Sequence, residues 1–182
     1  AFSSVSDADG KHIVLSAIEH DAAIACAENL RSRGFSVDYV RPDADGIITA
    51  DALEAVLHDD TALVCVMTVN NIVGSVQPIK ELCAAAHRRG ALFFTDAVQA
   101  MNALDIDVSD SGVDMLAVSG HKLYAPKGVG FLYIRRGVSV APMMLGGEQE
   151  RGLRAGTLDV PSVVALGAAA EEATADREKN NA

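Results

Sequence analysis

The sequence is poor in several residue types, and each shortage excludes a class of protein. It has no tryptophan and only 4% aromatic residues, so a core built from its 49% hydrophobic residues is mainly aliphatic. Lysine and arginine number 15 against 25 acidic residues, and the resulting net charge of −10 argues against binding to nucleic acid or to an anionic membrane. No apolar run is long enough to cross a bilayer, and the first residues lack the basic and apolar parts of a secretory signal.

Cysteine is also scarce. The three cysteines are an odd number, form no CxxC pair and lack the spacing of a disulfide framework. We therefore expect a reducing, cytoplasmic location, and we expect Cys26, Cys65 and Cys83 to be buried packing residues. An initial methionine is absent as well, which indicates a piece excised from a longer protein.

Strand-like and helix-like patterns alternate along the 182 residues, which is the length of a single domain. Short apolar runs predict strands at 13–15, 35–40, 62–67, 91–94, 113–118 and 129–134. Helical spacing and helix-end residues predict helices over 18–33, 49–57 and 78–89, and from Pro161 onward. This alternation predicts an α/β fold with a mostly parallel sheet and helices on both faces.

Polar residues follow three of the apolar runs directly. Asn70-Asn71, Asp96 and the string from Ser119 to Lys122 each come at the end of a predicted strand. In parallel sheets, ligands bind beyond the carboxyl ends of the strands. We therefore expect these side chains to converge on one rim of the sheet.

Lys122 lies at the end of a buried strand, next to a hydroxyl and an imidazole. An amine shielded from water loses its proton readily and becomes a nucleophile near neutral pH. We interpret Lys122 as the lysine that forms a Schiff base with pyridoxal phosphate (PLP), with Ser119 and His121 donating to the phosphate. A solvated surface lysine is the alternative.

Four further residues complete the predicted PLP site. Asp96 would pair with the pyridine nitrogen, Asn71 and Gln99 would reach the phenolic oxygen, and His20 would stack on the ring and assist proton transfer. Structural alternatives exist for three of them. Asp96 would cap the turn that follows it, Asn71 would form a turn before Gly74, and His20 would be an ordinary histidine at a helix N-terminus.

The other histidines indicate no metal site. No metal-ligand spacing stands out, and we interpret His12, His58 and His87 as structural or solvated. The glycine-rich string 146–157, which carries two arginines and ends at Thr157, is typical of an anion-binding loop. A flexible surface loop is the alternative for this string.

These motifs together resemble those of the cysteine desulfurases of the NifS/IscS type, within the class V aminotransferase group. The matching segments are 18–20, 69–71, 96–99, 119–122 and 150–157. Any one of them is weak, but five in order and at suitable spacing are highly specific. The resemblance implies the large domain of a PLP-dependent transferase of fold type I.

The resemblance also implies a reaction and partners. L-Cysteine would be the substrate and L-alanine the product, and the sulfur would pass as a persulfide to an enzyme cysteine for iron–sulfur cluster or thiocofactor assembly. Lys122 would carry the cofactor and move the Cα proton, and Thr157 would reach the phosphate of the other subunit's cofactor in a homodimer. A sulfur acceptor or an iron–sulfur scaffold protein would be a further partner.

The chain also departs from this family. Family members begin with a segment carrying a Gly-Ala-Thr-Glu phosphate loop and end with a small domain that holds the sulfur-accepting cysteine. Ile72 stands where glutamate is usual, and Glu148 where a third glycine is common. We therefore interpret residues 1–182 as an incomplete PLP-binding large domain that releases no sulfide alone. Another class V enzyme, such as a selenocysteine lyase or an aminotransferase, and a non-catalytic binding module remain alternatives.

Overall fold

One six-stranded sheet organises the chain. The computed structural model describes residue 2 and residues 11–177, and within them the strand order is β2-β1-β3-β4-β5-β6. The first five strands are parallel to one another, and β6 pairs with β5 in the antiparallel direction. The strands are β1 His12–Ser16, β2 Ser36–Val40, β3 Thr61–Cys65, β4 Leu92–Asp96, β5 Met115–Ser119 and β6 Gly130–Ile134.

Helices connect most of these strands. Four of the five α-helices of the described residues begin with a side-chain cap, which comes from His20, Thr49, Asp107 or Asp159. Two short 3₁₀ helices, Gly120–Leu123 and Gln149–Gly152, lie after β5 and after β6. The α-helices are α1 Asp21–Ser32, α2 Ala50–Glu54, α3 Ile79–Arg88, α4 Val108–Ser111 and α5 Val160–Ala175.

Helices cover both faces of the sheet, as predicted. On one face, Ile13 and Leu15 of β1 belong to the same buried cluster as Ala27 and Leu30 of α1. The other face, to which Val14 contributes, packs against α2, α3 and α5. All five side chains of β1 are buried, which explains why its sequence is a continuous run rather than an alternating one. The predicted α/β class with a mostly parallel sheet is confirmed.

Two helix ends differ from the prediction by three residues, and one helix was not predicted. Helix α1 begins at Asp21 rather than Ile18, because the Glu19 side chain turns into the core and His20 caps the helix. Helix α2 ends at Glu54 rather than Leu57, and the turn after it closes when the His58 N–H donates to Thr61 Oγ1. Helix α4 was not predicted, because its Val-Ser-Asp-Ser sequence is too short and too polar to show an apolar face.

The three cysteines are free thiols in different surroundings. Cys65 and Cys83 are buried, as predicted. The prediction was wrong for Cys26, which is exposed because it lies on the solvent side of α1, between the buried Ala23 and Ala27.

The helices of the described residues are all too short or too polar to span a bilayer.

Candidate active site

Four neighbouring parallel strands end at the same edge of the sheet. His20 follows β1, Asn71 follows β3, Asp96 is the last residue of β4, and Lys122 follows β5. Because these strands are adjacent and parallel, their carboxyl ends deliver the four side chains to one rim. We call this rim the carboxyl edge.

Lys122 lies in the 3₁₀ helix that directly follows β5. Its side chain is exposed, while the next residue, Leu123, is buried and anchors the turn. Ser119 Oγ and His121 Nδ1 lie 2.8 Å apart, so the hydroxyl and the imidazole form one hydrogen-bonded pair. The turn therefore carries the paired Ser119 and His121 next to an exposed Lys122, and this exposure is that of the surface-lysine alternative.

Close backbone packing holds the Lys122 turn in place. Gly120 is buried, and a Cβ atom at this position would lie 2.9 Å from Val129 O and 3.0 Å from Leu166 Cδ1. The Gly120 N–H donates to Val129 O at 2.8 Å. Any larger residue would push the turn, and with it the amine of Lys122, away from β6 and α5.

Asp96 occupies the end of β4 and is half-buried. Its Oδ1 accepts a hydrogen bond from the Val98 N–H at 2.9 Å, which is the turn-capping contact of the structural alternative. Its backbone oxygen accepts from the Thr68 N–H at 2.9 Å and so joins the ends of β3 and β4. Gln99 is half-buried in the turn after β4. This capping hydrogen bond fixes the position of the Asp96 carboxylate, so the turn-capping role and a contact with a bound ligand are compatible.

The turn after β3 separates two neighbouring asparagines. Asn70 is buried, its Nδ2 donates to Ile18 O at 2.8 Å, and its Oδ1 accepts from the Ile72 and Val73 N–H groups at 2.9 Å each. Asn70 therefore forms the turn, a role that the structural alternative had assigned to Asn71. Asn71 is exposed at the carboxyl edge.

His20 is the N-cap of α1. Its Nδ1 accepts a hydrogen bond from the Ala22 N–H at 3.2 Å, and the residue is exposed. This contact is the one expected of an ordinary histidine at a helix N-terminus. The capping hydrogen bond involves only Nδ1, so Nε2 and the two faces of the ring take no part in it.

Glu19 is a residue of this edge to which sequence analysis assigned no role. Its Oε1 accepts from Ser16 Oγ at 2.5 Å and from the Met67 N–H at 2.7 Å, so the buried carboxyl links the ends of β1 and β3. Burial, together with the nearby Asp96 charge, raises the pKa of Glu19 to about 7. Glu19 directly precedes His20 in the segment that follows β1, and this neighbourhood is the sequence signal that could have identified it as a site residue.

Thr157 lies apart from the other predicted residues. It is exposed in the segment between the 3₁₀ helix Gln149–Gly152 and α5, rather than at a parallel strand end. Within that segment, the Gly156 N–H donates to Gln149 Oε1 at 3.1 Å. The role predicted for Thr157 requires a second subunit.

The side chains at the carboxyl edge suit PLP by their chemistry. An amine, a carboxylate and a hydroxyl–imidazole pair match the aldehyde, the pyridine nitrogen and the phosphate of this cofactor. The backbone packing around Gly120 orients the string that supplies three of these groups.

A family comparison agrees with this arrangement. The model of the family described as "Aminotransferase class-V" matches residues 3–180. Cysteine desulfurase IscS of Methanosarcina thermophila is 46% identical over 172 residues, which make up 94% of this chain and 43% of that protein. The chain therefore spans less than half the length of this curated relative.

Solved structures share the fold. A NifS-like protein superposes with a TM-score of 0.93 at 35% identity, over 98% of this chain and 49% of that one. The structure of SspA in complex with cysteine gives a TM-score of 0.86 at 42% identity, over 90% of this chain and 48% of that one. The fold is that of the type I PLP-dependent enzymes.

Proposed function

Because this chain belongs to the aminotransferase class-V family, we propose that it forms the PLP-binding large domain of a cysteine desulfurase. The observation that carries this proposal is the carboxyl edge, where adjacent parallel strands end in Asp96 and in the string from Ser119 to Lys122. The similarity to cysteine desulfurase IscS, at 46% identity, favours this member of the family.

Three groups at the edge would hold the cofactor. When bound, PLP condenses with the amino group of an amino acid and draws electrons away from its Cα atom. The Asp96 carboxylate would keep the proton on the pyridine nitrogen, because an anion favours a neighbouring cation. Ser119 Oγ and His121, already paired at 2.8 Å, would donate to the phosphate oxygens.

The remaining residues would orient the ring and move the proton. Lys122 Nζ would carry the cofactor and take the proton from the substrate Cα. Asn71 and Gln99 would donate to the phenolic oxygen. The His20 ring would stack on the cofactor, since its capping contact through Nδ1 leaves the ring faces available.

The substrate would be L-cysteine and the product L-alanine. Burial raises the pKa of Cys83 to about 12 and that of Cys65 well above its usual value, so neither thiol is suited to accept sulfur as a persulfide. Cys26 is exposed, but it lies on the solvent side of α1, six residues beyond His20 at the carboxyl edge. We therefore propose that the sulfur passes to a cysteine of a further domain or of a partner, which would be a sulfur acceptor or an iron–sulfur scaffold protein.

A homodimer would complete the site. Thr157 would reach the phosphate of the cofactor in the other subunit. Large apolar side chains are exposed on both sides of Thr157 along the chain, among them Met143, Leu145 and Val164, and burying them would stabilise such a dimer.

The three free thiols are in keeping with a reducing, cytoplasmic location.

The decisive experiment is chemical trapping of the cofactor. We expect PLP added to the purified chain to develop a yellow colour, and borohydride to fix its mass on the tryptic peptide that contains Lys122. Lys122→Ala should abolish the adduct. An unchanged adduct in this variant, or no adduct in the wild-type chain, would contradict the assignment of Lys122.

A matched pair of aspartates tests the pyridine contact. Asp96→Asn should weaken PLP binding about 10- to 100-fold, the range for losing a charge-assisted hydrogen bond of roughly 1.5–3 kcal/mol. Asp45→Asn, at an exposed turn position, should leave the affinity unchanged. Equal affinities for the two variants, measured by absorbance titration, would remove Asp96 from the site.

A further inference from the structure

A second group of polar side chains lies at the opposite edge of the sheet. His12 is the first residue of β1, Asp38 lies on β2, and His58 and Asp60 lie in the loop that leads into β3. We call these four residues the amino-edge cluster. At about 3.3 Å per residue, the length of β1 separates it from the carboxyl edge by roughly 13 Å. It therefore forms no part of the proposed PLP site.

The central residue of the cluster is a fully buried histidine. His12 has 0% relative exposure, and its Nδ1 lies 2.8 Å from Thr61 Oγ1. Its Nε2 is also buried and forms no well-aligned hydrogen bond within the described residues, although Asp38 Oδ2 lies 3.3 Å away. Buried polar atoms are almost always satisfied in folded proteins, so this nitrogen requires an explanation.

Other potential metal ligands lie close to His12. His12, His58 and Asp60 each offer one ligand atom, and the three atoms lie within 4.8 Å of one another. Asp38 Oδ2 lies 3.3 Å from His12 Nε2 and 3.8 Å from His58 Nε2. Ligands held at 2.0–2.1 Å around a tetrahedral zinc ion are separated by roughly 3.4 Å, so these spacings approach those of a shared ion.

We propose that His12, His58 and Asp60 bind a divalent transition-metal ion such as Zn²⁺, with Asp38 beside them as a further oxygen donor. Imidazole nitrogen and carboxylate oxygen are the ligands of many zinc sites. Since His58 and Asp60 are exposed, the ion enters from solvent and keeps room for a water ligand.

Thr61 orients the buried ligand. When His12 Nδ1–H donates to Thr61 Oγ1, the lone pair of His12 is on Nε2 and faces the cluster. The same hydroxyl oxygen accepts the His58 N–H at 2.8 Å, which fixes the backbone that carries the second imidazole. The His58 ring stacks on His12 with centroids 4.1 Å apart. Coordination of the ion therefore requires the exposed His58 side chain to rotate out of this stack.

The charge of the cluster also favours a divalent ion. The carboxylates of Asp38 and Asp60 supply the negative charge that a divalent cation requires.

Cobalt titration of the whole chain tests the proposal, because Co²⁺ reports its coordination by its colour. We expect Co²⁺ to develop the intense visible absorption of a tetrahedral site at one equivalent, and Zn²⁺ to displace it. Zn²⁺ should also raise the thermal midpoint of the chain. Neither readout depends on PLP.

Three exposed substitutions make the test specific. His58→Gln and Asp60→Asn should each weaken cobalt binding at least about tenfold, because each removes a ligand without disturbing the core. Asp59→Asn changes the neighbouring carboxylate, which pairs with Arg89 at 3.0 Å, and should bind cobalt like the wild type. Circular dichroism verifies that each variant is folded. Equal affinities in all four proteins, or only the pale absorption of six-coordinate cobalt, would overturn the proposal.

Discussion

Glu19 shows how one buried side chain connects strand geometry to pH. It ties β1 to β3 through Ser16 and the Met67 N–H, and it also accepts from the Cys65 thiol, with Sγ 3.6 Å from Oε2. These hydrogen bonds favour the ionised form, but the cost of burying the charge outweighs them and raises the pKa to about 7. The folded chain therefore holds a carboxyl proton that the unfolded chain releases near pH 4.5.

This difference predicts how stability changes with pH. Between pH 4.5 and about 7 the folded state binds more protons at Glu19, so the free energy of unfolding falls as pH rises through this window. At about 1.4 kcal/mol per pKa unit, the contribution lost by pH 8 is about 3 kcal/mol. Glu19→Gln keeps an acceptor at this position and should remove this slope, as measured by urea unfolding at pH 5 and at pH 8.

An exposed glutamate provides the control. Glu171 lies on the solvent side of α5, and Glu171→Gln should preserve the wild-type difference between the two pH values. If Glu19→Gln behaves like this control, Glu19 does not titrate in the way described.

At the level of elements, the junction between β5 and its 3₁₀ helix depends on a missing side chain. Gly120→Ala would place a Cβ atom 2.9 Å from Val129 O and 3.1 Å from Val129 Cγ1. We expect a loss of roughly 1–3 kcal/mol of stability, which is typical of overpacking, and weaker binding of PLP because the Lys122 turn shifts. Urea unfolding and PLP titration measure the two effects.

A glycine-to-alanine substitution in α5 should have the opposite effect on stability. Gly167 lies within α5, and a Cβ atom there meets no other atom within 4 Å. Gly167→Ala should therefore stabilise the chain by up to about 1 kcal/mol, because alanine is the better helix former. A loss of stability in both variants, or in neither, would contradict the packing argument for Gly120.

The elements differ in how far the sequence reveals them. Apolar runs mark the strands well because the parallel strands are buried, but the antiparallel direction of β6 leaves no trace in its periodicity. The start of a helix is harder to predict than its existence. Helix α1 begins at Asp21 rather than at the predicted Ile18 because Glu19 is buried in the core, and this tertiary contact cannot be read from the local sequence.

At the level of the whole molecule, the two edges of the sheet differed in how predictable they were. The convergence of Asp96 and Lys122 could be predicted, since the ends of parallel strands share one edge and each residue follows an apolar run. The amino-edge cluster could not, because His12 sits inside an apolar run and its partners come from separate elements. Such a set has no characteristic spacing in the sequence.

Strand β1 lies between β2 and β3, and all five of its side chains are buried. Its amide protons should therefore exchange with deuterium only when the entire domain opens, whereas those of β6, at the sheet margin with Phe131 and Leu132 exposed, should exchange earlier through local fraying. Hydrogen-exchange mass spectrometry can rank the two segments, and equal protection of both would contradict this order. In the expected order, the strand that comes first among the described residues is the last to exchange its protons.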